Sequence, residues 1–276
     1  MLNSLKWRLG RKLYCQARGE QASPDMSRNG ETFLQRSVIA NGPADTPLVI
    51  FDIGANQAEW TAALLKSVPD DRCRPSLLQI HAFEPIAATA QIFERATREH
   101  GAAECIRLNR FALSNSPGEM EIAVFHEGGG TNSLHFSRDE RSPERTETIS
   151  LKTLDQYCAE ERIDHIHLVK CDTEGHDSYV IEGAAQALKA GTIDLFQFEY
   201  NHRWVFSRKF LLDIFEMIEG TDYSLGRVDP THITLFDNWH FELERFFWSN
   251  YILIHKRALN WIPVVRGQFD KSNVYR

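Results

Sequence analysis

The sequence predicts a doubly wound α/β domain, a mostly parallel sheet with helices on both faces and an inserted antiparallel β segment. Three observations predict it. Leu48-Val49-Ile50-Phe51 is a continuous apolar run, as in strands buried on both faces of a parallel sheet. Similar short runs then alternate with helical stretches. Around 120–151 the alternation breaks, and two strand-like runs flank a glycine-rich stretch.

Leu2, Leu5, Leu9 and Leu13 recur at helical spacing among Lys6, Arg8, Arg11, Lys12 and Arg18, ahead of the first acid, Glu20. This basic helix reads either as a membrane-surface or transit segment or as a helix laid on the domain's own surface; it lacks the apolar core of a secretory signal. Residues 20–31 read as a linker and 31–40 as a short helix. Strands are expected at 48–51, 77–83 and 105–108, with helices at 58–68 and 87–100 between them. Antiparallel strands at 120–125 and 147–151 enclose the loop 126–134, a candidate lid. A helix at 153–161, a strand at 165–171, a helix at 177–189, a strand at 194–198 and a helix at 207–219 resume the pattern. Short strands near 223–227, 233–236 and 251–255 close it. The division expected is 1–30 as basic helix and linker, 31–258 as the main domain and 259–276 as a C-terminal tail.

With 276 residues and 42% hydrophobic content, the chain can bury a full core. Its formal charge of −7 is not the basic field of a nucleic-acid binder, so no nucleic-acid partner is expected. Five scattered cysteines without a CxxC pair argue against a disulfide framework or a zinc site and suit a reducing cytoplasm. No metal site and no transmembrane helix are expected.

Ligands in doubly wound sheets sit beyond the carboxyl ends of the strands, and four predicted strand ends carry an acid or amide. The first is Asp52-Ile53-Gly54-Ala55-Asn56. Gly54 lets the backbone turn sharply, the following helix start offers free N–H groups, and Asp52 is placed for an ammonium, directly or indirectly. The second is Phe83-Glu84-Pro85, with Glu84 placed for ribose hydroxyls. The third runs Lys170-Cys171-Asp172-Thr173-Glu174, where Asp172 and Glu174 either contact ligand or cap a helix. The fourth is Glu199-Tyr200-Asn201-His202, with Glu199 and His202 as candidate acid–base groups. The aromatic stretch at Trp239, Phe241, Phe246, Phe247, Trp248 and Tyr251 reads as core or as the wall of a sugar pocket.

Taken in order, DIGAN, FEP, ALS, TNSL, TLD, LVKCDTEGHD, IEGA and FQFEYN resemble the FkbM family of methyltransferases across roughly residues 48–255. The resemblance implies a Rossmann-like class I methyltransferase fold, S-adenosylmethionine as methyl donor and O-methylation of a sugar, glycan or natural product. It implies that Asp52, Gly54, Ala55 and Asn56 hold the methionine end. Glu84, followed by Pro85, would hold the ribose. Ala112 would lie near the adenine, Trp60 would wall the pocket and Asp172 would face the sulfonium. Related sequences usually read GANxG, whereas Ala58 stands here. Alanine is harmless at helical φ and costs about 1 kcal/mol or more at positive φ.

Two other function classes compete. A nicotinamide-dependent oxidoreductase needs GxGxxG, but Asn56 and Glu59 interrupt it. A non-catalytic partner-binding module shares the fold; Ala58 is the sequence hint for it, and the intact acids at several strand ends argue against it.

Overall fold

The computed structural model describes residues 2–20, 23–98, 100, 102–125, 132–135, 142–272 and 274–275. Helix α1 (Leu2–Ala17) precedes α2 (Glu31–Asn41). The first β/α run is β1 (Leu48–Ile53), α3 (Glu59–Leu65), β2 (Leu78–Phe83), α4 (Ala87–Arg98) and β3 (Ile106–Asn109). The insert holds β4 (Ala112–Leu113), β5 (Gly118–Val124) and β6 (Arg145–Lys152). Then follow α5 (Leu154–Glu161), β7 (Ile166–Cys171), α6 (Asp177–Glu182), α7 (Ala185–Ala190), β8 (Ile193–Tyr200), α8 (Trp204–Ser207) and α9 (Leu211–Ile218). The chain closes with β9 (Tyr223–Val228), β10 (Ile233–Phe236), β11 (Ser249–His255) and β12 (Val264–Arg266).

The main sheet has the order β12-β10-β9-β11-β8-β7-β1-β2-β3. From β3 to β8 the strands are parallel, and β11 runs antiparallel between β8 and β9. A second sheet, β4-β6-β5, is built by the antiparallel pair β5 and β6. This is the class I, Rossmann-like arrangement with an antiparallel insert.

Alternation along the strands explains why both faces are covered. Phe51, Val169, Phe196 and Leu253 enter one apolar cluster with α5, α6 and α9. Their neighbours Ile50, Leu168, Leu195 and Ile252 enter the opposite cluster with α2 and α3. Side chains two apart share a face, so each apolar run feeds two layers. After β3 the chain leaves β2 and returns as β7 on the other side of β1. That reversal opens a crevice at the carboxyl ends of β1 and β7.

Sequence expectation and structure differ in four places. The helix expected at 177–189 is two helices. A β-carbon at Gly183 would stand 2.1 Å from the Ser114 carbonyl oxygen, and the Gly183 carbonyl accepts from Asp155 N at the start of α5. Likewise 207–219 divides, because Arg208 (φ 56°) closes α8 in the left-handed region. Within the expected tail, β12 pairs with β10 and extends the sheet. Finally, 20–31 does more than link: Arg18 and Glu20 are buried and ion-paired at 2.6 Å. Most of the candidate lid, residues 126–131, lies outside the described residues. No helix among the described residues is long and apolar enough to cross a membrane.

Candidate functional site

A cavity of about 370 Å³ opens at the carboxyl ends of β1, β2 and β7. Its floor is the turn after β1. Gly54 has φ 75°, and a β-carbon there would lie 2.0 Å from the carbonyl oxygen of Asp172. Only glycine lets β1 and β7 diverge this closely. Gly54 N and Ala55 N both donate to Phe83 O, at 3.1 and 3.0 Å, so the turn is pinned to the end of β2. Gly54, Ala55, Asn56 and Trp60 all line the cavity.

Ala58 adopts φ 74°, ψ 15° at the N-cap of α3 and is fully buried. The penalised alternative of the sequence reading is therefore the one present.

Glu84 stands at the end of β2, with one carboxylate oxygen 3.2 Å from Asn56 N and the other 2.9 Å from Ile86 N. Burial pushes its pKa up to about 7 against these two donors. An acid held by backbone N–H groups at the mouth of a cleft is oriented before any ligand arrives. Beside it, Pro85, Ile86, Ala112, Ile122, Leu134 and Ile149 form an apolar wall.

The opposite wall is acidic. Asp172 lies beyond the end of β7 with 40% of its side chain exposed, 3.9 Å from Lys170 Nζ. Glu174 (φ 56°) pairs with Arg203 Nε at 2.8 Å. Burial and the nearby Asp172 push its pKa up to about 8, although Arg203 opposes this. Glu199 accepts from Asn201 Nδ2 at 2.5 Å. Burial, reinforced by the charges of Asp172, Glu174 and Asp177, drives its pKa well above the carboxylate range.

Two expected site residues are placed elsewhere. Asp52 is fully buried beneath the cavity. Its Oδ2 accepts from Thr61 Oγ1 at 2.6 Å and its Oδ1 lies 3.3 Å from Lys170 Nζ. Asp52 therefore does not line the cavity, whereas Lys170 does and also donates to Gly54 O at 3.1 Å. His202 is exposed and absent from the cavity wall. The indole of Trp204 donates to Glu199 O at 2.9 Å, which draws Trp204 inward and leaves His202 facing solvent. Neither Asp172 nor Glu174 caps α6, whose N-cap His176 makes no side-chain cap hydrogen bond; the Asp177 carboxylate instead ties the loop to β8, 3.3 Å from Gly175 N and Glu199 N. Burial pushes the Asp177 pKa up to about 7, aided by Asp172.

Several lining residues are not singled out by sequence reasoning. Glu31, held by Asn29 Nδ2 at 2.8 Å and Gln197 Nε2 at 3.1 Å, faces the cavity beside Met26 and Trp248. Burial alone would lower the Lys170 pKa; the charges of Asp52, Asp172 and Glu31 reverse this and raise it. A lysine inside an otherwise apolar strand was its available signal. His176 lies in the wall, stacked on His135 and Tyr179, and burial lowers its pKa to about 3. Of the terminal aromatics, Tyr251 is core and Trp248 lines the cavity.

The profile of the methyltransferase FkbM domain matches residues 52–225. Among solved structures, a methyltransferase FkbM from Methylobacillus flagellatus KT is 15% identical with a TM-score of 0.48, over 80% of this chain and 48% of that one. The chain thus spans about half the length of that protein. An O-methyltransferase from Bacillus cereus, solved as a complex with SAH, is 12% identical with a TM-score of 0.46, over 92% and 91% of the two chains. A putative rRNA-methylase from Clostridium thermocellum is 7% identical with a TM-score of 0.46, over 83% and 96%. No curated protein matches the chain.

Proposed function

The chain belongs to the methyltransferase FkbM family, and from that premise we propose that it binds S-adenosylmethionine in this cavity and methylates a hydroxyl of a sugar, glycan or natural product. The observation that carries the reading is the pairing of the Gly54 turn with Glu84, joined through Asn56 N at 3.2 Å. Gly54, Ala55 and Asn56 offer close-approach backbone to the methionine end. Glu84, fixed by two N–H groups, has lone pairs left for the two ribose hydroxyls. Ala112, Ile122, Leu134 and Ile149 suit an adenine face, and Trp60 lines the same cavity.

Bound S-adenosylmethionine would supply an electrophilic methyl group. The cavity wall beyond β7 and β8 is acidic, with Asp172, Glu174 and Glu199. Asp172 is the candidate base: it is the open carboxylate of the wall, whereas Arg203 engages Glu174 and Asn201 engages Glu199. Lys170 Nζ stands 3.9 Å from its carboxylate. Asp172 then accepts the proton of the acceptor hydroxyl, and Glu174 and Glu199 orient the acceptor. Positioning supplies much of the rate in such a displacement.

The test is label transfer from S-adenosylmethionine to glycans and cell extracts. The label is expected on a hydroxyl oxygen. Asp172→Asn is expected to lower turnover by about 10²–10⁴-fold while leaving S-adenosylhomocysteine binding nearly intact. Label on nitrogen, or unchanged turnover in Asp172→Asn, would contradict the reading.

A further inference from the structure

Helix α1 has two faces that point in nearly opposite directions. At about 100° per residue, Arg11 and Tyr14 fall within about 60° of each other around the helix. Both turn toward the domain: the Arg11 guanidinium stands 5.3 Å over the Phe247 ring, the Tyr14 ring is 6.1 Å from it, and Tyr14 OH donates to Glu242 at 2.7 Å. Leu2, Leu5, Leu9 and Leu13 fall within about 80° on the other side. They are 66%, 64%, 54% and 56% exposed. Lys6 and Lys12 border this leucine stripe, one on each side.

We propose that the leucine face of α1 lies on an anionic lipid surface, with the domain held behind it by the opposite face. Charge selects this occupant. The whole chain carries −7, yet α1 holds Lys6, Arg8, Arg11 and Lys12 and no acid. Lysines flanking an apolar stripe extend their ammonium groups to the headgroup level while the leucines enter the acyl boundary. A second copy of α1 fits poorly. It would bring lysine to lysine along both borders, with no carboxylate on the helix to pair them. At 16 residues the helix spans about 24 Å, so it lies in the interface rather than crossing. The proposal is independent of the cofactor reading.

The test is flotation of the full chain with phosphatidylcholine vesicles, with and without phosphatidylglycerol. Binding is expected to be at least about tenfold stronger on the anionic vesicles and to weaken as salt shortens the screening length. Leu5→Asp with Leu9→Asp should abolish it, and Lys6→Glu with Lys12→Glu should lower it about tenfold or more. Unchanged thermal melting of both variants would show that the fold is intact, since these side chains are exposed. Absence of flotation on anionic vesicles would overturn the proposal, as would binding that ignores the leucine substitutions. A dimer in sedimentation velocity that Leu5→Asp with Leu9→Asp dissolves would assign the face to a second copy instead.

Discussion

The carbonyl oxygen of Asp172 fills the space that a β-carbon on Gly54 would need, 2.0 Å from its ideal position. The two central strands therefore part directly under the cavity, and the backbone of one candidate binding residue is set by that of the candidate base. Gly54→Ala combines this clash with a positive φ. It should destabilise the fold by about 2–5 kcal/mol in urea unfolding. Near-native stability would mean that the two strand ends are free to separate.

Ala58 presents the converse case. Its φ of 74° carries a penalty of about 1–2 kcal/mol, offset by the burial of one methyl, worth about 0.8 kcal/mol. Ala58→Gly should be neutral or stabilise by up to about 1 kcal/mol, as read from the urea midpoint. A loss greater than that would show that methyl packing against Phe93 outweighs the strain.

Lys170 and Asp52 form the buried ion pair beneath the cavity, 3.3 Å apart with side chains 6% and 0% exposed. Removing one partner leaves the other buried without its counter-ion. Lys170→Met should cost about 3–5 kcal/mol, and the double variant with Asp52→Asn should cost less than the sum of the two single losses. Strict additivity in the cycle would show that the two groups do not interact.

Much of this arrangement is legible in the sequence. The run at 48–51 and its repeats locate the parallel strands, because double-sided burial removes polar residues from both faces. Glu84 is legible because a strand end followed by proline fixes where its side chain must emerge. Asp52 is misplaced because its partner, Lys170, comes from a neighbouring strand remote in sequence. Glu31 escapes notice for the same reason: it is held by Gln197, 166 positions away. His202 fails because the inward packing of Trp204 decides which way the loop faces. Local pattern reports which face a residue occupies, not which distant group meets it there.

Burial lifts the Glu84 pKa from 4.5 to about 7, with the Lys170 and Asp52 charges acting on it in opposite senses. A raised carboxyl pKa stabilises the fold most below 4.5, and that contribution is lost as pH rises through about 7. Ligand hydroxyls donate to the ionised form, so binding runs the other way and releases a proton. Affinity for S-adenosylhomocysteine should therefore fall as pH drops below 7, by up to about tenfold per unit. Glu84→Gln should bind more weakly at pH 8 and flatten the profile. A pH-independent affinity in the wild type would place ligand recognition elsewhere.

Isothermal titration calorimetry with S-adenosylhomocysteine asks whether the Gly54 turn and Glu84 together form the cofactor site. The wild-type chain should bind one equivalent, with NAD giving no heat. Glu84→Ala, still folded, should weaken the affinity by about 1.5–3 kcal/mol, the contribution of hydrogen bonds to a charged group. Silence at millimolar S-adenosylhomocysteine would mean that the cavity does not hold this cofactor, and an affinity unchanged by Glu84→Ala would mean that Glu84 does not bind it.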